Sequence, residues 1–253
     1  MPNTKPDKGR TRLRLDLLLV ELGLVESRTK AQALIMAGSV LVGGTVCDKA
    51  GKEVARDALI RLKERLPFVG RGGVKLAGFL DETGIDVTGL VAMDVGSSTG
   101  GFTDCLLQRG ALRVHAVDVG KGLLDYKLRI DKRVHLLEGY NIRYLKYDEV
   151  GEKVEVVVVD LSFISLEKVL EKLKEFMAPH ARLLTLVKPQ FEVGKGEVGK
   201  GGVVRDEAKR NAVVDKVIDF AASFGFECRA RGTSVIKGAK GGNTEYWLCL
   251  ELA

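Results

Sequence analysis

Two textures of hydrophobic and polar positions divide the 253-residue chain. Near its start, RLRLDLLLVELGL carries apolar residues at helical spacing with Asp16 and Glu21 between them, and Gly23 stands where a helix ends left-handed. This predicts a first helix. Ser27 is placed to cap a second, from Arg28 to Ala37, which Gly38 stops. The β-branched residues and glycine turns of SVLVGGTVCDKAGKEV then predict a hairpin. LPFVGRGGVK, Leu66 to Lys75, reads as a boundary because glycine and proline interrupt regular elements. Beyond it, VAMDV, VHAVDV, VHLLE, VEVVVVD and ARLLTLVK alternate with helical segments at Gly101 to Gln108, Leu166 to Met177 and Glu207 to Phe224. That alternation predicts an α/β fold, an open doubly wound Rossmann-like sheet that is mostly parallel and covered by helices. The last run, TEYWLCLEL, is expected to pair antiparallel with FECRARGTSVIKG. The expected boundaries are a disordered tail over 1–11, a small N-terminal domain over 12–66, a linker over 67–74 and the large domain over 75–253.

Charge adds what the pattern cannot. The net charge is +6, yet the first 75 residues hold 15 Lys and Arg against 8 Asp and Glu, leaving 25 against 26 for the rest. Basicity confined to one end suggests a module that meets a polyanion, since phosphate neutralisation supplies most non-specific nucleic-acid affinity. No apolar run is long enough for a membrane span, and the polar start, MPNTKPDKGRTR, lacks the apolar core of a secretory signal. Membrane insertion is therefore not expected, and a cytoplasmic location is. Cys47, Cys105, Cys228 and Cys249 are scattered without a C-x-x-C pair, which argues against a zinc site or a disulfide framework, so no metal is expected.

One stretch, DVGSSTGGFTD, has two readings. Gly96-Ser97-Ser98-Thr99-Gly100 fits the G-x-S-x-G turn of a hydrolase, with Ser98 as nucleophile. A hydrolase would need its histidine late in the chain, but only His180 follows Asp160, and it precedes a strong strand. The other reading is a cofactor turn. A strand runs into glycines that let backbone N–H groups approach a ligand, and a helix starts at once with its positive end facing that ligand. The next strand ends in Asp118, where a carboxylate can accept hydrogen bonds from a ribose diol. Such turns serve both nicotinamide and S-adenosyl-L-methionine enzymes. The spacing G-x-x-x-G-G and the absence of an evident hydride-transfer pair favour methyl transfer, which is mainly a task of positioning.

The residues also carry resemblances. Arg14-Leu15-Asp16, Ser27-Arg28-Thr29-Lys30-Ala31 and Gly38-Ser39-Val40-Leu41-Val42 resemble the S4 RNA-binding domain, with Gly43-Gly44 where that family usually has Asn-Gly. This implies an RNA-facing set of Arg14, Ser27, Arg28 and Lys30. RGGVKL, DVGSSTGGFTD, AVDVGKGLLDYKLR, GYNIR, VVVVDLSFISL and LVKPQFE together resemble the TlyA family, ribosomal RNA 2′-O-methyltransferases that join an S4 domain to an FtsJ-like catalytic domain. The resemblance implies S-adenosyl-L-methionine as cofactor and ribosomal RNA or a ribosomal subunit as partner. It carries a Lys-Asp-Lys-Glu tetrad onto Lys75, Asp160, Lys188 and Glu245. It also implies Gly96, Ser98, Gly100, Gly101, Phe102 and Thr103 around the methionine part of the cofactor, Asp118 at its ribose and Asn141 near its adenine.

A lysine base must shed its proton, which desolvation or a neighbouring cation favours. Lys188 is expected as the base with Lys75 as that cation, while either lysine can stabilise the alkoxide and the two carboxylates orient them. Taken singly, Lys188 or Glu245 reads as a surface charge and Asp160 as a helix cap. Their joint position at strand ends is what suggests chemistry. Phe163 reads either as a ring that stacks on a base or as core. Phe191 to Asp206, rich in glycine, reads either as a loop closing on RNA or as a plain connection. Two alternatives of other kinds stand beside the enzyme: a membrane-active hemolysin, as the family's common name suggests, and a non-catalytic RNA-binding assembly factor.

Overall fold

The structure is a computed structural model that describes residues 12–62, 67–194, 197–199, 201–238 and 242–252. The expected tail over 1–11 lies outside the described residues, as do parts of the glycine-rich segment. The chain forms two compact units, Met1–Arg65 and Leu66–Ala253.

In the first unit, β1 (Arg12–Arg14) leads into α1 (Leu15–Glu21), followed by α2 (Arg28–Met36), β2 (Val40–Val42), β3 (Thr45–Val46), β4 (Glu53–Ala55) and β5 (Ile60–Leu62). Leu15, Leu18 and Leu19 of α1 meet Ala31 and Ile35 of α2 and Val40 in a closed core. The first helix starts three residues later than its periodicity predicts. Arg12–Arg14 pair antiparallel with Glu53–Ala55, so a distant strand overrides the local pattern. Ser27 caps α2 as expected, its Oγ accepting from the Lys30 backbone N–H at 3.2 Å. The hairpin also gains a strand, because β2 lies between β3 and β5.

The second unit opens with α3 (Arg71–Thr83), behind Gly70 as its N-cap. The stretch expected to be a linker through residue 74 is therefore partly the first turn of a helix. Its glycines permit close packing rather than break the chain: a Cβ on Gly73 would stand 2.3 Å from the Phe68 side chain. Then come β6 (Val91–Val95), α4 (Gly101–Gln108), β7 (Arg113–Asp118), α5 (Tyr126–Arg129), β8 (Val134–Glu138), α6 (Tyr147–Val150) and β9 (Val154–Val159). They are followed by α7 (Leu170–Lys174), β10 (Met177–Val187), α8 (Pro189–Glu192), α9 (Glu207–Ser223), β11 (Phe226–Thr233) and β12 (Tyr246–Leu252).

The strands form one sheet in the order β11-β12-β10-β9-β6-β7-β8. The run from β10 to β8 is parallel, and β12 lies antiparallel between β10 and β11. Alternate residues of β9 face opposite cores. Val157 and Val159 pack towards Val213 and Val217 of α9, while Val156 and Val158 pack towards Phe79 of α3 and Leu106 of α4. Burial on both faces is why these strands read as continuous apolar runs. The helix expected from Leu166 to Met177 is shorter. A single 3-10 turn (Leu166–Lys168) and α7 use its first part, and Met177 already pairs with Val154 at the start of β10.

Candidate active site

Five parallel strands present their carboxyl ends along one edge of the sheet, carrying in spatial order Lys188 after β10, Asp160 after β9, Gly96 after β6, Asp118 ending β7 and Asn141 beyond β8. The order of strands reverses between β6 and β9, and such a switch point opens a crevice in doubly wound sheets. A cleft of ≈ 490 Å³ lies there, with Gly96, Ser98, Asp118, Asn141 and Asp160 on its walls beside Val117, Leu123, Ile142 and Ile164.

The glycine turn is held by its own acids. Asp118 accepts the backbone N–H of Ser98 at 2.8 Å on one oxygen and that of Gly120 at 2.7 Å on the other. Each carboxylate oxygen keeps a second lone pair for another donor. Asp94, fully buried, accepts both the N–H and the hydroxyl of Thr103 on Oδ2, at 2.9 and 2.6 Å. Among the described residues its Oδ1 has no partner. Burial pushes this carboxyl up to about 7, against the hydrogen bonds from Thr103.

Gly96 has φ +87, and a Cβ there would stand 2.6 Å from the Asp160 carbonyl oxygen, so only glycine lets β6 and β9 end this close together. The remaining members of the expected cofactor set stand behind the cleft. Gly100 faces Leu124 and Leu128, Gly101 faces the first turn of α3, Phe102 packs on Trp247 at 5.5 Å, and Thr103 serves Asp94. Side chains in the first turn of α4 point back into the core, which is the physical reason for this division.

A second cavity of ≈ 400 Å³ shares Asp160, Ser162 and Phe163 with the cleft and adds Arg71, Lys75, Lys188, Phe191 and Glu245. The fold explains why four residues distant in sequence meet there. β12 is antiparallel to β10, with Tyr246 opposite Val187, so Glu245 just before β12 falls beside Lys188 just after β10. Lys75 reaches in from α3, which is seated on the sheet by Phe79 stacked on Trp247 at 5.1 Å.

The charges form two ion pairs. Lys75 Nζ donates to Glu245 Oε2 at 2.6 Å, with the side chains 8% and 4% exposed. Lys188 pairs with Asp160 and also donates to Ser162 Oγ at 3.1 Å. Buried ion pairs lose in desolvation much of what they gain in attraction, so two of them facing one cavity point to chemistry rather than to stability. Ser162, Arg71 and Arg143 also line these walls. Sequence reasoning passed over all three, although Ser162 stands two residues from Asp160 in the same turn. Phe163 is 83% exposed with φ +64, so its core reading does not hold.

In the first unit, the expected RNA-facing residues surround Asp16, which is wholly buried. Arg14 reaches it through two bonds of 3.0 Å, and Arg28 and Gln32 each reach it at 2.9 Å. The Arg14 guanidinium, ahead of the other donors, holds this carboxyl well below the usual range. Lys30 lies one short step along α2 in an exposed pair with Glu26. The Ser27 hydroxyl is occupied as the helix cap. Asp16 is the organiser that the list of basic residues omitted.

Comparisons with known proteins bear on both units. Residues 68–252 match the FtsJ-like methyltransferase family and residues 13–60 the S4 domain. The chain is 44% identical to the 16S/23S rRNA (cytidine-2′-O)-methyltransferase TlyA of Mycobacterium tuberculosis, over 94% of this chain and 90% of that one. It is 39% identical to Hemolysin A of Brachyspira hyodysenteriae, over 92% of this chain and 98% of that one. Among solved structures, a Streptococcus thermophilus protein named as a hemolysin superposes with a TM-score of 0.74 at 38% identity, covering 96% of this chain and 89% of that one.

Proposed function

The chain belongs to the TlyA family, which joins an S4 domain to an FtsJ-like methyltransferase domain, and on that premise we propose that it methylates the ribose 2′-hydroxyl of cytidine in ribosomal RNA. S-adenosylmethionine is the proposed methyl donor, and free RNA or a ribosomal subunit in the cytoplasm the proposed substrate. The observation that carries this reading is the pair of adjoining cavities that share Asp160, Ser162 and Phe163, one a cofactor cleft and the other holding two lysine–carboxylate pairs.

The cleft suits the cofactor. Its apolar walls fit a purine, Asp118 has lone pairs left for a ribose diol, and at Gly96 a side chain would collide with the backbone of Asp160. Bound there, S-adenosylmethionine supplies an electrophilic methyl group. The protein's task is then to hold the ribose 2′ oxygen in line and to receive its proton.

Lys188 Nζ is the proposed acceptor of that proton. It donates to Ser162 Oγ and is paired with the Asp160 carboxylate, and the two hold it on the wall of the cavity that the hydroxyl would enter. Once protonated, the same nitrogen points an N–H at the ribose oxygen. Lys75, anchored by Glu245, places a second positive charge on the cavity wall, where it stabilises a developing alkoxide. The exposed ring of Phe163, tilted against Phe191 at 5.0 Å, offers a face on which a base could stack. The S4 domain supplies affinity for the RNA. None of the described helices is long and apolar enough to cross a membrane.

The test is transfer of a labelled methyl group to ribosomal subunits or their RNA. Wild type should label ribose, and Lys188→Ala should lower the rate by about 10²-fold or more, the usual contribution of a positioned acid or base. An inert wild type, or a Lys188→Ala variant as fast as wild type, would overturn the reading.

A further inference from the structure

The turn after β9 does more than deliver Asp160. We propose that Ser162 is a positioning residue that sets the direction in which Lys188 meets the ribose hydroxyl, and this rests on the methyltransferase reading given above. Lys188 is almost buried, and its nitrogen has two partners among the described residues, Asp160 and the Ser162 hydroxyl at 3.1 Å. The Asp160 oxygen pairs with that nitrogen by charge without a hydrogen bond, so it attracts the amine without setting its rotation about the last carbon–nitrogen bond. The three directions on the nitrogen keep a fixed tetrahedral relation, so the one N–H donated to Ser162 sets them all. The direction that faces the cavity then has one orientation.

The backbone supports this arrangement. Phe163 has φ +64, in the left-handed region that a bulky residue adopts only when its surroundings require it. It follows directly on Ser162, which with Asp160, two residues earlier, converges on one nitrogen. Ser162 also belongs to the walls of both cavities, so the nitrogen it orients stands where the two meet.

Removal of the hydroxyl should therefore slow chemistry without loosening binding. For Ser162→Ala we expect kcat to fall on the order of tenfold, the equivalent of one hydrogen bond of about 1.4 kcal/mol. KM for RNA, the cofactor dissociation constant from calorimetry and the melting temperature should stay near wild type. Ser162→Thr, which retains the hydroxyl, should restore most of the rate. If Ser162→Ala melts early, Ser162→Cys keeps the volume while offering only a weak acceptor, and its kcat should fall alike. Ser162→Ala at wild-type kcat, a loss confined to KM, or no rescue by Thr overturns the proposal while wild type and Lys188→Ala still differ. An inert wild type overturns the methyltransferase reading itself, and the role of Ser162 with it.

Discussion

Asp94 shows how a single carboxyl can hold a binding turn together at a cost that depends on pH. Its Oδ2 ties the end of β6 to the first turn of α4 through Thr103, and burial raises it from 3.8 to about 7. Between those values the folded protein holds a proton that the unfolded chain has released, so stability falls as pH rises through this window and the penalty is complete above pH 7. At 1.36 kcal/mol per unit the penalty reaches up to about 4 kcal/mol. Asp94→Asn keeps a carbonyl oxygen for Thr103 and cannot ionise. Chemical denaturation at pH 5 and pH 8 should accordingly show a large loss of stability for wild type and a much smaller one for the variant. Equal losses would mean that Asp94 is charged in the fold at both values.

At the level of elements, α3 shows where sequence and structure part. Its glycines read as a chain boundary because Gly72 and Gly73 are poor helix formers, and nothing local says that Phe68 and Gly101 will press against that turn. The same holds for β1, whose residues look helical until β4 arrives from 39 to 43 residues away to pair with them. The central strands β6, β7 and β9, by contrast, were legible because both their faces are buried. Asp118, Asp160 and Lys188 were legible because each polar residue interrupts an apolar run at a strand end. Gly100, Gly101, Phe102 and Thr103 are contiguous in the motif yet face different neighbours, because a helix turns its consecutive side chains in different directions.

Gly73 tests this account of α3. Alanine there gains about 1 kcal/mol in helix propensity, but its Cβ would stand 2.3 to 2.6 Å from Phe68 atoms, and overpacking costs about 1–3 kcal/mol. Gly73→Ala should be destabilised in thermal unfolding, and the displaced helix should carry Lys75 away from Glu245 and lower methyl transfer. A stabilised, fully active variant would show that Phe68 moves aside freely.

Across the whole molecule, charge and the candidate site are divided between the two units: residues 1–65 hold 13 Lys and Arg against 8 Asp and Glu, while the rest is close to balance at 27 against 26, and the two lysine–carboxylate pairs belong to the second unit. If the S4 domain provides the RNA affinity, the salt dependence of binding should respond to it and cofactor binding should not. Arg14 and Arg28 are poor probes, because both are hydrogen-bonded to the buried Asp16 and their removal would leave that carboxylate short of donors. Lys30 is a cleaner one. Its pair with Glu26 is exposed on both sides, contributes little to stability and can be exchanged for a phosphate. Lys30→Ala should weaken binding to ribosomal RNA about equally across sequences and lower the slope of log K against log salt concentration by about one. Its affinity for S-adenosylmethionine should match wild type. An unchanged slope would remove Lys30 from the phosphate contacts, and a changed cofactor affinity would contradict the division of labour between the units.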